Sequence, residues 1–180
     1  MSGRFYAVVG PSGVGKDTLM EAAAARLPGL HLARRVITRP ASAGGEEFEG
    51  VSDEVFDRRL AAGAFALHWA AHGLRYGVPV AVERALAQGH PVLCNLSRGV
   101  LTQAAARFPG MQVLHVTARP EVLAERLAGR GRESAEEIAR RLARAGASLP
   151  EGLTVHEIDN SGALEAAVMR LVALLQPARA

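Results

Sequence analysis

The chain has one cysteine and one lysine in 180 residues, no long apolar run, and no block of charge of a single sign. Each shortage excludes something. A lone cysteine cannot close an internal disulfide, and Cys94, set in the apolar PVLCNLS, reads as a small buried hydrophobe rather than a nucleophile. Apolar residues make up 49% of the chain but are spread along it. No stretch reaches the roughly eighteen consecutive apolar positions of a membrane-spanning helix, and no membrane partner is expected. The opening MSGRFYAVVG lacks the basic, apolar and small-residue zones of a signal peptide, so a cytoplasmic protein is expected. The formal charge of +3 comes from basic residues scattered among acidic ones, which does not fit a nucleic-acid partner. No His, Cys and carboxylate spacing suggests zinc, and there is no internal repeat or low-complexity tail.

The shortage of lysine is the informative one. The abundant Arg and Ala read as compositional drift, which replaces lysine by arginine at little cost on an exposed surface. A position that keeps lysine under such drift is one where a compact ammonium on a flexible stem is required. That position is Lys16, inside VVGPSGVGKDTL. The spacing is that of a phosphate-binding loop between a strand and a helix. Gly10, Gly13 and Gly15, with Pro11, Ser12 and Val14 between them, let successive N–H groups converge on phosphate oxygens at a helix N-terminus. Lys16 then reaches the transferred phosphate, and a nucleotide, ATP, is the expected ligand. Where the loop normally carries a metal-binding hydroxyl, position 17 is Asp, and Thr18 keeps a hydroxyl able to bond a phosphate. Asp17 has three readings: a first-turn acid suited to the helix dipole, a ligand to Mg²⁺ directly or through water, or the mark of a degenerate loop. A carboxylate beside phosphate oxygens is repulsive without a cation between them, which favours the metal reading.

Strand-like runs alternate with helical periodicity, so the expected fold is α/β: one domain over 1–180 with a doubly wound, five-stranded parallel sheet. The expected strands are 5–9, 31–37, 91–96, 111–117 and 153–158. Leu164, Val168, Leu171 and Leu175 mark a final helix over the sheet, and Ser134 with Glu137 forms a capping box. Residues 38–79 break the alternation and read as an inserted lobe. It contains a polar Gly-rich segment, a helix from about Ser52 with Phe56 and Leu60 on one face, and a hairpin over FALHWAAHGLRYGVP. The Arg-rich AGRGRES at 128–134 reads as a short lid.

Taken together, GPSGVGKDTL, VITRP, the lobe ending in RYG, RGRES and the RRL that follows resemble the guanylate kinase branch of the nucleoside monophosphate kinases. GKD in place of GKS, RRVITRPASAGGEEFEGVS, FALHWAAHGLRYGVP and NLSR make the ribose 1,5-bisphosphate phosphokinases of phosphonate degradation the closer match. The resemblance covers essentially the whole chain. It implies ATP- and Mg²⁺-dependent phosphorylation of a phosphorylated sugar to 5-phospho-α-D-ribose 1-diphosphate. Arg39 and Tyr76 match acceptor-phosphate residues of the branch, and Arg130 and Arg141, with Arg132 between, match lid arginines that cover the transferred phosphate. Asn160, with Asp159 and Ser161, falls where related kinases hold adenine, although a plain turn and cap reads equally well there. Arg126 and Arg140 read as surface charges.

The departures from guanylate kinases are as informative. Ser42 stands where a second acceptor arginine is expected, and Leu67 or His68, Val78 and the acid-free CNLSRG stand where guanine is read. A site built to hydrogen-bond guanine loses discrimination by orders of magnitude without those groups. What remains is a lobe that recognises phosphate, with Arg39, Arg75, His68, His72 and Tyr76 as candidate clamps. A phosphate acceptor is already anionic and needs alignment rather than a base, and no catalytic Asp in a sugar-kinase context is evident. A nucleotide kinase, or a non-catalytic guanylate-kinase-like binding module, are the alternatives; the latter generally lack the loop and lid arginines retained here.

Overall fold

The computed structural model describes residues 3–40, 47–129, 134, 136, 138–140, 143 and 148–176. Its first strand shows why the chain forms a two-faced sheet. β1 (Phe5–Val9) is buried along its whole length. Successive side chains of a strand point to opposite faces, and here both faces are covered. Phe5, Ala7 and Val9 join one apolar cluster, while Tyr6 and Val8 join another. The near-continuous apolar run of β1 is the pattern of a strand in the middle of a parallel sheet.

The remaining elements are α1 (Lys16–Ala24), β2 (His31–Leu32), β3 (Val36–Ile37), β4 (Glu49–Gly50), α2 (Asp53–Ala61), β5 (Phe65–Ala71), β6 (Leu74–Pro79), α3 (Ala81–Ala87), β7 (Val92–Asn95), α4 (Leu101–Arg107), β8 (Gln112–Thr117), α5 (Pro120–Gly129), β9 (Thr154–Asp159) and α6 (Leu164–Leu175). Five strands form a sheet in the order β2-β7-β1-β8-β9, every neighbouring pair parallel. The expected doubly wound parallel sheet is therefore observed. α1, α5 and α6 supply Leu19, Leu123, Val168 and Leu171 to the face that carries Tyr6. α3, α4 and the residue that ends α4 supply Val82, Ala104 and Phe108 to the face that carries Phe5, with the Phe108 ring stacked on Phe5 at 4.2 Å between centroids. Cys94 is buried within that second cluster. Leu164 differs from the expectation. It begins α6 but is 39% exposed and lines a cleft described below.

A second, four-stranded sheet has the order β4-β3-β6-β5. The expected single strand over 31–37 is in fact two. His31 and Leu32 pair with β7 of the main sheet, whereas Val36 and Ile37 pair with β4 and β6 of the small sheet. The intervening residues carry the chain from one sheet to the other. Ala33 N still donates to Leu93 O at 2.8 Å, and Arg35 O already accepts from Glu49 N at 2.8 Å. α2 begins at Ser52, whose hydroxyl accepts from Val55 N at 3.3 Å, the side-chain cap that a Ser in this position supplies. Its Phe56 is buried and stacks on Phe65 of β5 at 4.7 Å. Arg59 of α2 donates from both terminal nitrogens to Glu49 of β4 at 2.6 and 3.0 Å, tying helix to sheet edge through a paired fork. The Arg59 guanidinium holds the Glu49 carboxyl below its ordinary range.

No helix among the described residues is long and apolar enough to cross a membrane.

Candidate active site

The loop between β1 and α1 sits where ligands bind in open α/β sheets, at the carboxyl ends of the strands and beside the strand at which the sheet order reverses. α1 starts at Gly15 without a side-chain cap, which suits a helix end that receives an anion. Gly15 has φ 92, and a Cβ there would lie 2.7 Å from Asn160 Nδ2. Both the left-handed backbone and the close approach therefore demand glycine. Val14 is fully buried and turns the loop through its N–H to Pro11 O at 3.3 Å. Lys16 Nζ arches back to Gly10 O at 2.8 Å and Pro11 O at 3.2 Å, so the ammonium crosses the mouth of the loop.

Asp17 lies in the first turn of α1, and its Oδ1 accepts from Asn95 Nδ2, at the end of β7, at 3.4 Å. The carboxylate is thus oriented from the neighbouring strand, next to a loop shaped for phosphate. An oriented carboxylate beside phosphate oxygens is a donor set that fits a hard divalent cation. Among the described residues no cluster of three His, Cys, Asp or Glu side chains forms a metal site, so the cation would share its shell with phosphate oxygens and water.

A cleft of about 350 Å³ opens on the α1 and α6 side, lined by Gly13, Gly15, Thr18, Arg126, Asn160, Gly162 and Leu164. Arg126 corrects the sequence reading, while Asn160, expected at the nucleotide, lines this same cleft. Asn160 is buried, 4% exposed, and its Nδ2 donates to Val14 O at 2.8 Å while its backbone N–H donates to Thr117 O at 2.8 Å. It shapes the loop from beneath. Arg126 is no surface charge: from α5 it donates to Val14 O at 3.2 Å and to Asn160 O at 2.8 Å. Loop, α5 and the turn after β9 are thereby locked into one unit. Arg140, by contrast, is exposed as expected. Asp159 and Ser161 form a turn in which Asp159 Oδ1 accepts from Ser161 N at 2.9 Å. Hydrogen bonds from the Ser161 hydroxyl and N–H hold the Asp159 carboxyl below its ordinary range, and Ser161 Oγ accepts from Arg119 N at 2.8 Å. These hydrogen bonds fix the turn that follows β9.

The small sheet distributes its candidates over two faces. On the face turned towards the main sheet, Tyr76 stacks on Trp69 at 5.2 Å, and Trp69 Nε1 donates to Ser97 Oγ at 3.0 Å. Trp69 therefore bridges lobe and core. Arg35, 6% exposed, lies 5.3 Å from the Tyr76 ring centroid and 6.0 Å from that of Trp69. Sequence reasoning missed Arg35, although its position in RRVITRP, four residues before Arg39, was available. Leu67 and Val78 complete this face, both fully buried.

Arg75 and His68 occupy the other face, one strand position from Trp69 and Tyr76. Arg75 is held by Asp57 at 2.7 Å and Asp53 at 3.7 Å, over the Phe56 ring at 4.4 Å. The strand pleat and these two carboxylates set it apart from Tyr76, so the expected joint clamp of Arg75 and Tyr76 does not form. His72 is exposed at the hairpin tip with φ 53, followed by Gly73 with φ 72. Two consecutive left-handed residues are what a two-residue hairpin turn requires. Among the described residues nothing joins His72 to Arg39 or Tyr76, and its placement is explained by the turn. Arg39 lines a second cleft of about 440 Å³ with Thr38, Pro40, Gly50, Val51, Ser52 and Asp53, its guanidinium 4.3 Å from the Phe48 ring centroid.

Arg130, Arg132 and Arg141, the expected lid arginines, lie outside the described residues, as do Ser42 and the Glu137 of the capping box.

Comparison with known proteins agrees with this layout. The guanylate kinase family model matches residues 2–176. A ribose 1,5-bisphosphate phosphokinase, PhnN, of Ruegeria is 57% identical over 99% of this chain and 94% of its own. The protein of that name from Agrobacterium fabrum is 49% identical over 94% of each chain. Among solved structures, guanylate kinase from Anaplasma phagocytophilum superposes with a TM-score of 0.71 over 97% of this chain and 85% of its own, at 19% identity, a likeness of fold.

Proposed function

The chain belongs to the guanylate kinase family and, within it, to the ribose 1,5-bisphosphate phosphokinases, and from that membership we propose that it transfers the γ-phosphoryl group of ATP to the 1-phosphate of ribose 1,5-bisphosphate. The products are ADP and 5-phospho-α-D-ribose 1-diphosphate, and the setting that the resemblance implies is phosphonate degradation. One observation supports the acceptor most strongly. The loop is shaped for the phosphates of a nucleoside triphosphate, yet Leu67 and Val78, where the resemblance places guanine-reading groups, are apolar and buried in the core cluster of the main sheet. A guanine would find no polar partner from these two positions, a penalty of about 1–3 kcal/mol for each hydrogen bond left unmade.

The roles then follow from placement. The loop N–H groups and Lys16 hold the donor phosphates. Arg126 and Asn160 keep the loop in the shape that receives them. Arg39 and Tyr76, with Arg35 behind the Tyr76 ring, hold an acceptor phosphate, and Arg130, Arg132 and Arg141 close over the transferred group and exclude water. Asp17 is the residue that would hold Mg²⁺, oriented by Asn95. Bound Mg²⁺ supplies positive charge to the oxygens of the phosphoryl group in transit. The accepting phosphate is an anion at neutral pH, so alignment and charge neutralisation suffice and no general base is assigned.

The test is an acceptor panel. Purified protein with ATP and Mg²⁺ is given ribose 1,5-bisphosphate, GMP or ribose 5-phosphate, and ADP release is followed. Turnover with the bisphosphate alone is expected. Turnover with GMP and none with the bisphosphate contradicts the assignment, and no turnover with any acceptor returns the binding-module alternative.

A further inference from the structure

The phosphate loop and the strand beside it depart from the common arrangement in complementary senses. In phosphate-loop enzymes generally, Mg²⁺ is held by a Ser or Thr hydroxyl directly after the loop lysine and by an Asp at the end of another strand. Here the residue after Lys16 is Asp17, and the segment 94–99, CNLSRG, contains no acid. The residue that ends β7 is Asn95. A carboxylate thus stands where the hydroxyl is usual, and an amide stands on the neighbouring strand.

Backbone pairing brings the two together. β7 runs parallel to β1 with Asn95 level with Val8, two residues before Gly10 opens the loop. Leu96 N–H donates to Val8 O at 3.0 Å and fixes that register at the strand end. By strand alternation Asn95 shares a face with Leu93, the face on which Leu19 and Met20 of α1 pack. Asn95 Nδ2 therefore meets the first turn of α1, where it donates to Asp17 Oδ1 at 3.4 Å. Both residues are partly exposed, so neither is sealed in the core. Charge explains why the partner is an amide. A second carboxylate at this distance would repel the first, whereas an amide donates a hydrogen bond to it and adds no charge. The pair then carries one negative charge, the same as a hydroxyl and an aspartate in the common arrangement.

We propose that Asp17 and Asn95 divide the usual metal-binding roles in reverse: the loop supplies the carboxylate for Mg²⁺, and the strand supplies the neutral group that positions it. This rests on the Mg²⁺ role assigned to Asp17 above, and it makes Asn95 a positioning residue. The acid at 17 and the amide at 95 are two halves of one exchange, so moving the carboxylate to the strand and a hydroxyl to the loop restores a working pair.

Calorimetric titration of the full chain with a non-hydrolysable ATP analogue, in EDTA and in saturating Mg²⁺, tests the exchange without turnover. The ratio of the two affinities measures how strongly metal and site are coupled. Wild type is expected to bind at least about 10-fold more tightly with Mg²⁺, the worth of a bond to a charged group. Asp17→Ser is expected to keep its affinity in EDTA and to lose most of that enhancement, and Asn95→Ala to lose a smaller part of it. Asp17→Ser combined with Asn95→Asp is expected to regain most of it. A double variant no better than Asp17→Ser, an enhancement unchanged in Asn95→Ala, or no enhancement in wild type would each overturn the exchange. Should the double variant fail to bind in EDTA, Asp17→Thr with Asn95→Asp replaces it, and a second failure counts as no rescue. Rescue here with no ADP release from ribose 1,5-bisphosphate by wild type keeps the exchange and sinks the acceptor. Turnover of the bisphosphate by wild type with no rescue in the double variant keeps the acceptor and sinks the exchange.

Discussion

Asp17 and Arg126 mark two extremes of what a residue reveals in a sequence. Asp17 and Lys16 stand in a local pattern whose spacing carries its own mechanism, so the phosphate loop was legible from about ten letters. The structure adds the Asn95 contact that orients the carboxylate. If Asp17 holds Mg²⁺, Asp17→Ser is expected to leave binding of an ATP analogue in place while altering the Mg²⁺ dependence of turnover. An unchanged Mg²⁺ titration would reduce Asp17 to a helix-terminal charge. Arg126 carries no local signature. Its partner Val14 is 112 positions away, and it is one arginine among many in an Arg-rich chain. Arg126→Ala removes two hydrogen bonds, one to Val14 O of the loop and one to Asn160 O of the turn after β9, each worth about 1 kcal/mol. A KM for ATP raised several-fold or more, with the KM for the acceptor little changed, is the expected kinetic result.

The elements that sequence reasoning placed well are those whose partners follow from the pattern itself. β1, β7 and β8 are apolar runs largely buried on both faces, β9 is the edge strand with Ile158 buried, and α6 shows its buried Val168, Leu171 and Leu175 at helical spacing. The stretch 31–37 was misjudged because strand propensity says nothing about which sheet a strand joins. Its two halves differ only in their tertiary partners, β7 for one and β4 with β6 for the other. The lobe's hairpin was legible, but assigning its faces needed the register that pairs Trp69 with Tyr76 and Ala70 with Arg75. α2 secures this small sheet through Phe56, which packs against Phe65 and under Arg75. Phe56→Ala is expected to cost about 3 kcal/mol of stability, measured by denaturant unfolding. The KM for the acceptor should rise more than that for ATP, because the lobe loosens while the loop keeps its own braces. Equal effects on both substrates would contradict a lobe that serves the acceptor alone.

At the scale of the molecule, the main sheet divides its work between two faces. The α1, α5 and α6 face holds the cleft of Arg126, Asn160 and Leu164. The other face carries the lobe, bridged to the core through Trp69 and Ser97; on the roles proposed above, donor and acceptor would meet at the end of β1. The central claim is that the site takes a phosphorylated sugar and not a guanine nucleotide: Leu67 and Val78, where the resemblance places guanine-reading groups, are apolar and packed in the core. The most direct test is ³¹P NMR of the reaction mixture with ATP, Mg²⁺ and ribose 1,5-bisphosphate, run beside one with GMP. The expected result is a new coupled diphosphate pair at C1 of the sugar with the 5-phosphate resonance retained, and no GDP. Conversion of GMP to GDP while the bisphosphate spectrum stays unchanged would contradict it.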